Sequence, residues 1–220
     1  MAQVAEYKVY NCGFPGDTTL ELLKRFNRDV VSKNPDLVVL LIGSNDMFYP
    51  GHILEPAVYR KNLNTLLERI KVINAGCILM TAPGFYIPLL VENFPGTVES
   101  PLSIEERLTL LNDTIREVAD ERDLPLVDLY KLITPADDSA ESMVLTPSNS
   151  KYRDGMHLTA AGYGIAAGKI FELHQKYFSQ CRNIVCLGDS LTYGVYMPGK
   201  GGADADALTY PGQLAKLLNN

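Results

Sequence analysis

With 220 residues, 46% hydrophobic and 21% charged, the chain suits one α/β domain spanning residues 1–220, whose core needs neither metal nor disulfide. A net charge of −6 argues against a nucleic-acid partner, because phosphate binding calls for a basic surface. No apolar run reaches the roughly 20 residues of a bilayer span, and the start MAQVAEYKVY lacks the sections of a signal peptide, so a cytoplasmic protein without a membrane span is expected.

In chain order, Tyr7 to Cys12 reads as a strand, and a Thr18/Glu21 capping box opens a helix to Val31. Leu37 to Ile42 is wholly apolar between Pro35 and Gly43, as expected of a parallel strand covered on both faces. A helix from Ala57 to Asn74 follows, then a strand from Cys77 to Ala82 ended by Pro83-Gly84. A Ser103/Glu106 box opens a helix from Ile104 to about Arg122, and Leu126 to Asp128 is a short fourth strand. The long polar stretch Thr134 to Gly155 reads as irregular and functional or mobile; a helix from Ala160 to Phe178 follows it. Asn183 to Leu187 is the fifth strand, and a Gly-rich loop leads to a closing helix from Tyr210 to Leu218.

Strands separated by helices predict a three-layer α/β/α sandwich on a five-stranded parallel sheet, because parallel neighbours need crossover connections. Sites in such sheets gather at the carboxyl ends of the strands. Cys12, Cys77 and Cys186 fall in or at the end of strand-like runs and read as reduced core thiols, while Cys181 sits in a connector. Their spacing fits no zinc template, so neither a metal nor a cofactor is expected.

Three loops should share one rim: Asn11 to Thr18 after the first strand, Gly43 to Asp46 after the second, and Gly188 to Leu191 after the fifth. They offer a serine at a turn, a side-chain amide and Gly-rich backbone, which is the equipment of acyl transfer. A serine hydroxyl needs a base to take its proton. His157 is the candidate, with Asp154 three residues upstream able to receive the Nδ1 proton and fix the tautomer. His52 and His174 lack an acidic partner at matching spacing and read as structural. Asp204 and Asp206 in the Gly-rich loop read as a solvated turn rather than a calcium loop.

Taken together, GDSL at Ser190, the Gly16 loop, Gly-x-Asn-Asp ending at Asp46, and Asp-x-x-His at 154 to 157 resemble the SGNH (GDSL-type) hydrolases over nearly the whole chain. The resemblance implies a flavodoxin-like fold, Ser190 as nucleophile, Asp154 and His157 as its triad partners, and Gly16 and Asn45 as oxyanion donors beside the Ser190 backbone N–H. Gly16 is favoured over Gly13 because Gly-Asp-Thr is how the family's glycine block commonly reads. Asn45 as a loop cap is the alternative, and Asp46 reads as a cap. The implied activity is hydrolysis of a small carboxylic ester, short-chain or aryl, with thioesters and lysophospholipids also within the family's range. Asp189, Phe14, Phe48, Tyr86 and Tyr193 are the candidate substrate contacts, Tyr49 and Phe85 lying in similar positions. For each aromatic, core packing or plain exposure is the competing reading.

The order of blocks departs from the family's, which ordinarily begins with GDSL and ends with Asp-x-x-His. Starting the sequence near Arg182 restores it, so residues 183–220 read as a circularly permuted nucleophile strand, loop and helix. That arrangement predicts that Met1 and Asn220 are neighbours on the face opposite the site, in a monomer; a dimer that swaps the last segment is the rival. Two other classes compete with the enzyme: a silent binding module on the same fold, and a phosphate-binding protein using the loop Gly13 to Thr18.

Overall fold

The computed structural model describes residues 6–133, 137–152 and 154–220. Strands β1 (Lys8–Gly13), β2 (Leu37–Leu41), β3 (Gly76–Met80), β4 (Leu126–Val127) and β5 (Asn183–Gly188) form one parallel sheet in the order β1-β5-β2-β3-β4. The last strand therefore lies inside the sheet, second in the order, with β1 and β2 hydrogen-bonded to its two sides.

Helices α1 (Thr19–Asp29), α2 (Ser44–Phe48), α3 (Pro56–Val72), α4 (Ile87–Asn93), α5 (Ile104–Glu121), α6 (Leu129–Leu132), α7 (Ala160–Tyr177), α8 (Ser190–Tyr193) and α9 (Tyr210–Asn219) complete the described elements, with single 3₁₀ turns at Val31–Lys33 and Pro95–Val98. In β2, Val38 and Leu40 enter the core formed with α1, α3 and α5, while Leu37, Val39 and Leu41 enter the core formed with α7 and α9. Both faces being covered is why this strand is apolar at every position. Val185 and Leu187 of β5 face the first core, Ile184 and Cys186 the second.

The expected helix starts agree with the structure. Thr18 caps α1 and Ser103 caps α5, each with its reciprocal bond from Glu21 or Glu106. The short helices α2, α4, α6 and α8 were not anticipated. Elements of four to seven residues do not nucleate alone, so their sequences carry little periodic signal and tertiary contacts set them.

The stretch expected to be irregular between Thr134 and Gly155 is partly ordered; residues 134–136 and 153 lie outside the described residues. Val144 pairs antiparallel with Leu158. Asn149 stitches the turn between them, donating to the carbonyls of Ser142 and Val144.

The four cysteines are free thiols, and Cys181 packs half-buried with its Sγ toward the Asp36 carbonyl. The connector from α7 into β5 is tied down by the Asp36 carboxylate, which accepts from the Arg182 and Asn183 N–H groups at 2.8 and 2.9 Å. At that same end of the sheet the side chain of Asn219 brackets Tyr7, accepting from its N–H at 3.0 Å and donating to its carbonyl at 3.2 Å. Met1 lies outside the described residues, but the chain's two described ends are bonded neighbours at the amino end of β1.

Candidate active site

The segment from Asp154 to His157 is a turn whose backbone is pinned on both sides. The Leu145 N–H donates to the His157 carbonyl, the Gly155 N–H donates to the Leu145 carbonyl, and the Tyr86 N–H donates to the Gly155 carbonyl, at 2.7 to 2.9 Å. Inside the turn, Asp154 Oδ1 accepts from the N–H groups of Met156 and His157 and lies 2.9 Å from His157 Nδ1. Burial alone would raise the Asp154 carboxyl. Its bonds to the imidazole and to the two backbone N–H groups outweigh burial and hold it below the usual carboxylate range. An ionised acceptor on Nδ1 fixes that nitrogen as the protonated one and leaves Nε2 as a free base. Nε2 is buried and without a hydrogen-bond partner among the described residues.

Ser190 is the first residue of α8, two residues past the end of β5. Asp189 caps that helix by accepting from the Leu191 N–H at 2.9 Å. The turn is pressed against the end of β1: a Cβ on Gly13 would lie 2.1 Å from the Tyr193 nitrogen and 2.8 Å from the Asp189 carbonyl oxygen. Gly13 is therefore required by close backbone approach, and Gly16 is the glycine of this loop that reaches the cavity.

The third loop adds Asn45 at the start of α2, whose Nδ2 donates to the Asp17 carbonyl at 2.8 Å and lies 3.5 Å from Asp189 Oδ2. Its neighbour Asp46 acts as the expected cap: both carboxylate oxygens accept from the Thr19 N–H at the start of α1, and Oδ1 also accepts from Thr19 Oγ1. Asn62 of α3 supports that hydroxyl at 3.0 Å. Burial pushes the carboxyls of Asp46 and Asp189 up, to about 6 and about 7.

Two arginines missed in the sequence hold these loops together. Arg25 donates to the Gly188 carbonyl at 2.7 Å and the Cys12 carbonyl at 3.0 Å while pairing with Asp17 and Asp29, so it joins the ends of β1 and β5 to the glycine loop. Arg107 is buried, lies over the Phe48 ring, and donates to the Met47 and Thr97 carbonyls. The available signal was position: Arg25 falls three residues after Leu22 and one before Phe26, and Arg107 one before Leu108, all core residues.

These pieces enclose a cavity of about 180 Å³. Ser190, His157, Asp154, Asn45 and Gly16 line it together, with Pro15, Phe48, Tyr49, Leu90, Phe94, Met156 and Val195. Phe48 is the one anticipated contact that the structure brings there, together with Tyr49; Leu90, Phe94, Met156 and Val195 were not singled out.

The other anticipated contacts lie elsewhere. Phe14 is 57% exposed beyond the rim. Tyr86 contributes its backbone to the Gly155 turn, and the Tyr193 ring packs toward Gly201. Phe85 stands edge-on to Phe48 in the core. Asp189 is fully buried as the cap of α8. His174 is buried, with Nε2 2.9 Å from the Cys181 carbonyl, and His52 packs edge-on to Tyr49.

A model of the GDSL-like lipase/acylhydrolase family matches residues 1–165 of this chain. The chain is 27% identical over 194 residues to the uncharacterized lipoprotein YqeF of Bacillus subtilis, covering 78% of this chain and 77% of that one. It is also 27% identical over 167 residues to an acetylxylan esterase of Geobacillus stearothermophilus, covering 73% and 68%. Among solved structures, a GDSL-like lipase of Bacteroides thetaiotaomicron superposes with a TM-score of 0.55 at 26% identity, over 73% of this chain and 72% of the other. With a matching family model over most of its length and a shared fold, the chain belongs to the GDSL-like lipase/acylhydrolase family.

Proposed function

We propose that the protein hydrolyses small carboxylic esters through an acyl-enzyme on Ser190. The observation that carries this reading is the His157 ring: Nδ1 engaged by Asp154 at 2.9 Å, Nε2 buried and unbonded among the described residues, and the ring lining one cavity with Ser190. As Ser190 Oγ attacks the ester carbonyl carbon, its proton passes to Nε2, and the carbonyl oxygen becomes an oxyanion. When the tetrahedral centre collapses, the C–O bond to the alcohol breaks and the alcohol takes the proton from Nε2. Water then repeats both steps on the acyl-serine and releases the acid. Asp154 stays ionised throughout and stabilises the transient imidazolium. Gly16, Asn45 and the Ser190 N–H are the proposed oxyanion donors; beyond its bond to the Asp17 carbonyl, the Asn45 amide makes only a long one, 3.5 Å, to Asp189 Oδ2, which an oxyanion would replace.

The small volume and the apolar wall of Phe48, Leu90, Phe94, Met156 and Val195 favour a short acyl group, and the acetylxylan esterase relative makes an acetylated sugar the first natural substrate class to try. We read the block order as a circular permutation. Three observations support it: the family match ends at residue 165, before the GDSL block; β5 is inserted between β1 and β2; and Asn219 is bonded to Tyr7. A phosphate site at the loop Gly13 to Thr18 is disfavoured, because the chain already supplies acceptors there: Glu21 for the Thr18 N–H, Asp46 for that of Thr19, and Thr18 Oγ1 for that of Leu20.

The test is initial rates on p-nitrophenyl esters of increasing acyl length, for wild type beside Ser190→Ala. Activity on the acetyl ester that vanishes in the variant supports the reading. A wild type inert on all esters, or a variant as active as wild type, overturns it.

A further inference from the structure

The GDSL block continues into a turn that the proposed chemistry does not use. Its backbone is closed by the Met197 N–H donating to the Gly194 carbonyl at 3.0 Å, which puts Val195 and Tyr196 at the two central positions. Tyr196 occupies the second of them with φ at +70°, a conformation that turns of this kind normally give to glycine. A bulky residue persists at such a position when its surroundings over-determine it. The surroundings are the base-bearing segment. The Tyr196 ring stacks on Tyr152 at 4.4 Å and 19° between planes, and stands perpendicular to the His157 imidazole at 5.6 Å and 89°. Lys151 lies over the Tyr152 ring, 5.1 Å from its centroid.

The imidazole needs this support. Asp154 holds it at Nδ1, and Nε2 has no partner among the described residues, so a single side-chain bond leaves the ring free to rock about the Nδ1 to Oδ1 line. An aromatic neighbour set perpendicular to the ring restricts that motion, and its geometry is of the favourable edge-to-face kind. Tyr196 also belongs to the segment that carries Ser190, whereas Tyr152 and His157 belong to the segment that carries the base. A contact between the two fixes one reacting group against the other.

We propose that Tyr196 is a positioning residue for His157: its ring, held by the left-handed turn and backed by Tyr152, keeps the imidazole aimed at Ser190. This rests on His157 being the base. The aromatic ring is what acts, so the hydroxyl is dispensable.

The experiment uses full-length Tyr196→Ala, Tyr196→Gly and Tyr196→Phe. Each is measured for kcat and KM on p-nitrophenyl acetate and, separately, by relaxation-dispersion NMR on ring-labelled histidine to read exchange of the His157 imidazole between orientations. The glycine variant suits the backbone conformation, so a loss there reports the ring and not damage to the turn. The expected result is a kcat lower by about 10- to 100-fold in the alanine and glycine variants, KM changed by less than about threefold, and exchange broadening of the His157 ring signals. The phenylalanine variant restores the wild-type values and the sharp His157 ring signals.

The proposal is overturned if the glycine variant keeps wild-type kcat and sharp His157 ring signals, or if phenylalanine fails along with glycine. Should the wild type prove inert on every ester, the hydrolase reading falls, yet the NMR arm still decides this one. Exchange broadening at His157 in the glycine variant and none in the phenylalanine variant uphold it; the absence of broadening in both overturns it.

Discussion

Two carboxylates border the candidate serine, and the protein treats them in opposite ways. Asp154 is buried but accepts two backbone N–H bonds and the imidazole, so the charged form is favoured in place. Asp189 is buried more completely, accepts one backbone N–H, and has its other oxygen 3.5 Å from the Asn45 amide, so burial dominates and its carboxyl is pushed up to about 7. Donor count, rather than depth, decides which of two neighbouring acids keeps its charge. The division suits the proposed chemistry: the charge sits behind the base, where a forming imidazolium needs it, while the carboxyl next to Ser190 keeps its proton up to about pH 7.

The largest expected effect breaks the charged side. Asp154→Asn keeps the size but replaces the ionised acceptor with an amide that can hold the wrong imidazole tautomer. We expect kcat on p-nitrophenyl acetate to fall by on the order of 10,000-fold, about 5 kcal/mol, with KM little changed. A fall of less than about tenfold would mean that His157 is oriented by something else.

On the other side, Asp189→Asn separates stability from catalysis. An unfolded aspartic acid loses its proton near 4, whereas the folded Asp189 keeps it to about 7. Between those pH values the folded state binds more protons, so this group makes wild-type stability fall as pH rises, with the full penalty present above 7. Asp154, held low, acts in reverse: its contribution is present above about 4 and is lost as pH falls through its folded value. Asp189→Asn should therefore flatten the decline between pH 4 and 7 and stabilise the protein at pH 8 by up to about 4 kcal/mol, read from urea unfolding at several pH values. Equal stability differences at pH 4 and pH 8 would show that the folded carboxyl is not perturbed.

Asn45 stands beside Asp189, its amide 3.5 Å from Oδ2. If that amide turns its long bond to the oxyanion, Asn45→Ala lowers kcat by roughly 100- to 1,000-fold, about 3 to 4 kcal/mol, with KM nearly unchanged. An unchanged kcat would leave Asn45 as the tie between the Asp17 carbonyl and α2.

The sequence makes much of this legible where a residue's role is local. The capping boxes at Thr18 and Ser103, the apolar run of β2 and the spacing of Asp154 and His157 are all decided within a few positions, and the structure keeps each of them. What stayed hidden depends on chain crossings. Arg25 gains its partners from β1, β5 and the glycine loop, and Phe94 reaches the cavity from the far side of α4. Aromatics chosen for following a strand divided according to which side of the rim their loop turned: Phe48 inward, Phe14 outward. The left-handed residue that mattered was a tyrosine, Tyr196, which no glycine-based signal marks.

The smallest expected effect lies in the glycine loop itself. Gly16 has φ at +85°, and a Cβ added there meets no atom within 4 Å, so Gly16→Ala introduces backbone strain without a clash. That strain should lower stability by about 1 to 2 kcal/mol at any pH, in contrast to the pH-graded change at Asp189. If the Gly16 N–H also faces the oxyanion, retention of the loop's shape requires kcat to stay within about tenfold of wild type, since alanine keeps the donor. Were kcat to collapse while stability fell by only that amount, the loop would have left its left-handed form in the variant. The positive φ, rather than the mere presence of an N–H, would then be what aims the donor at the cavity.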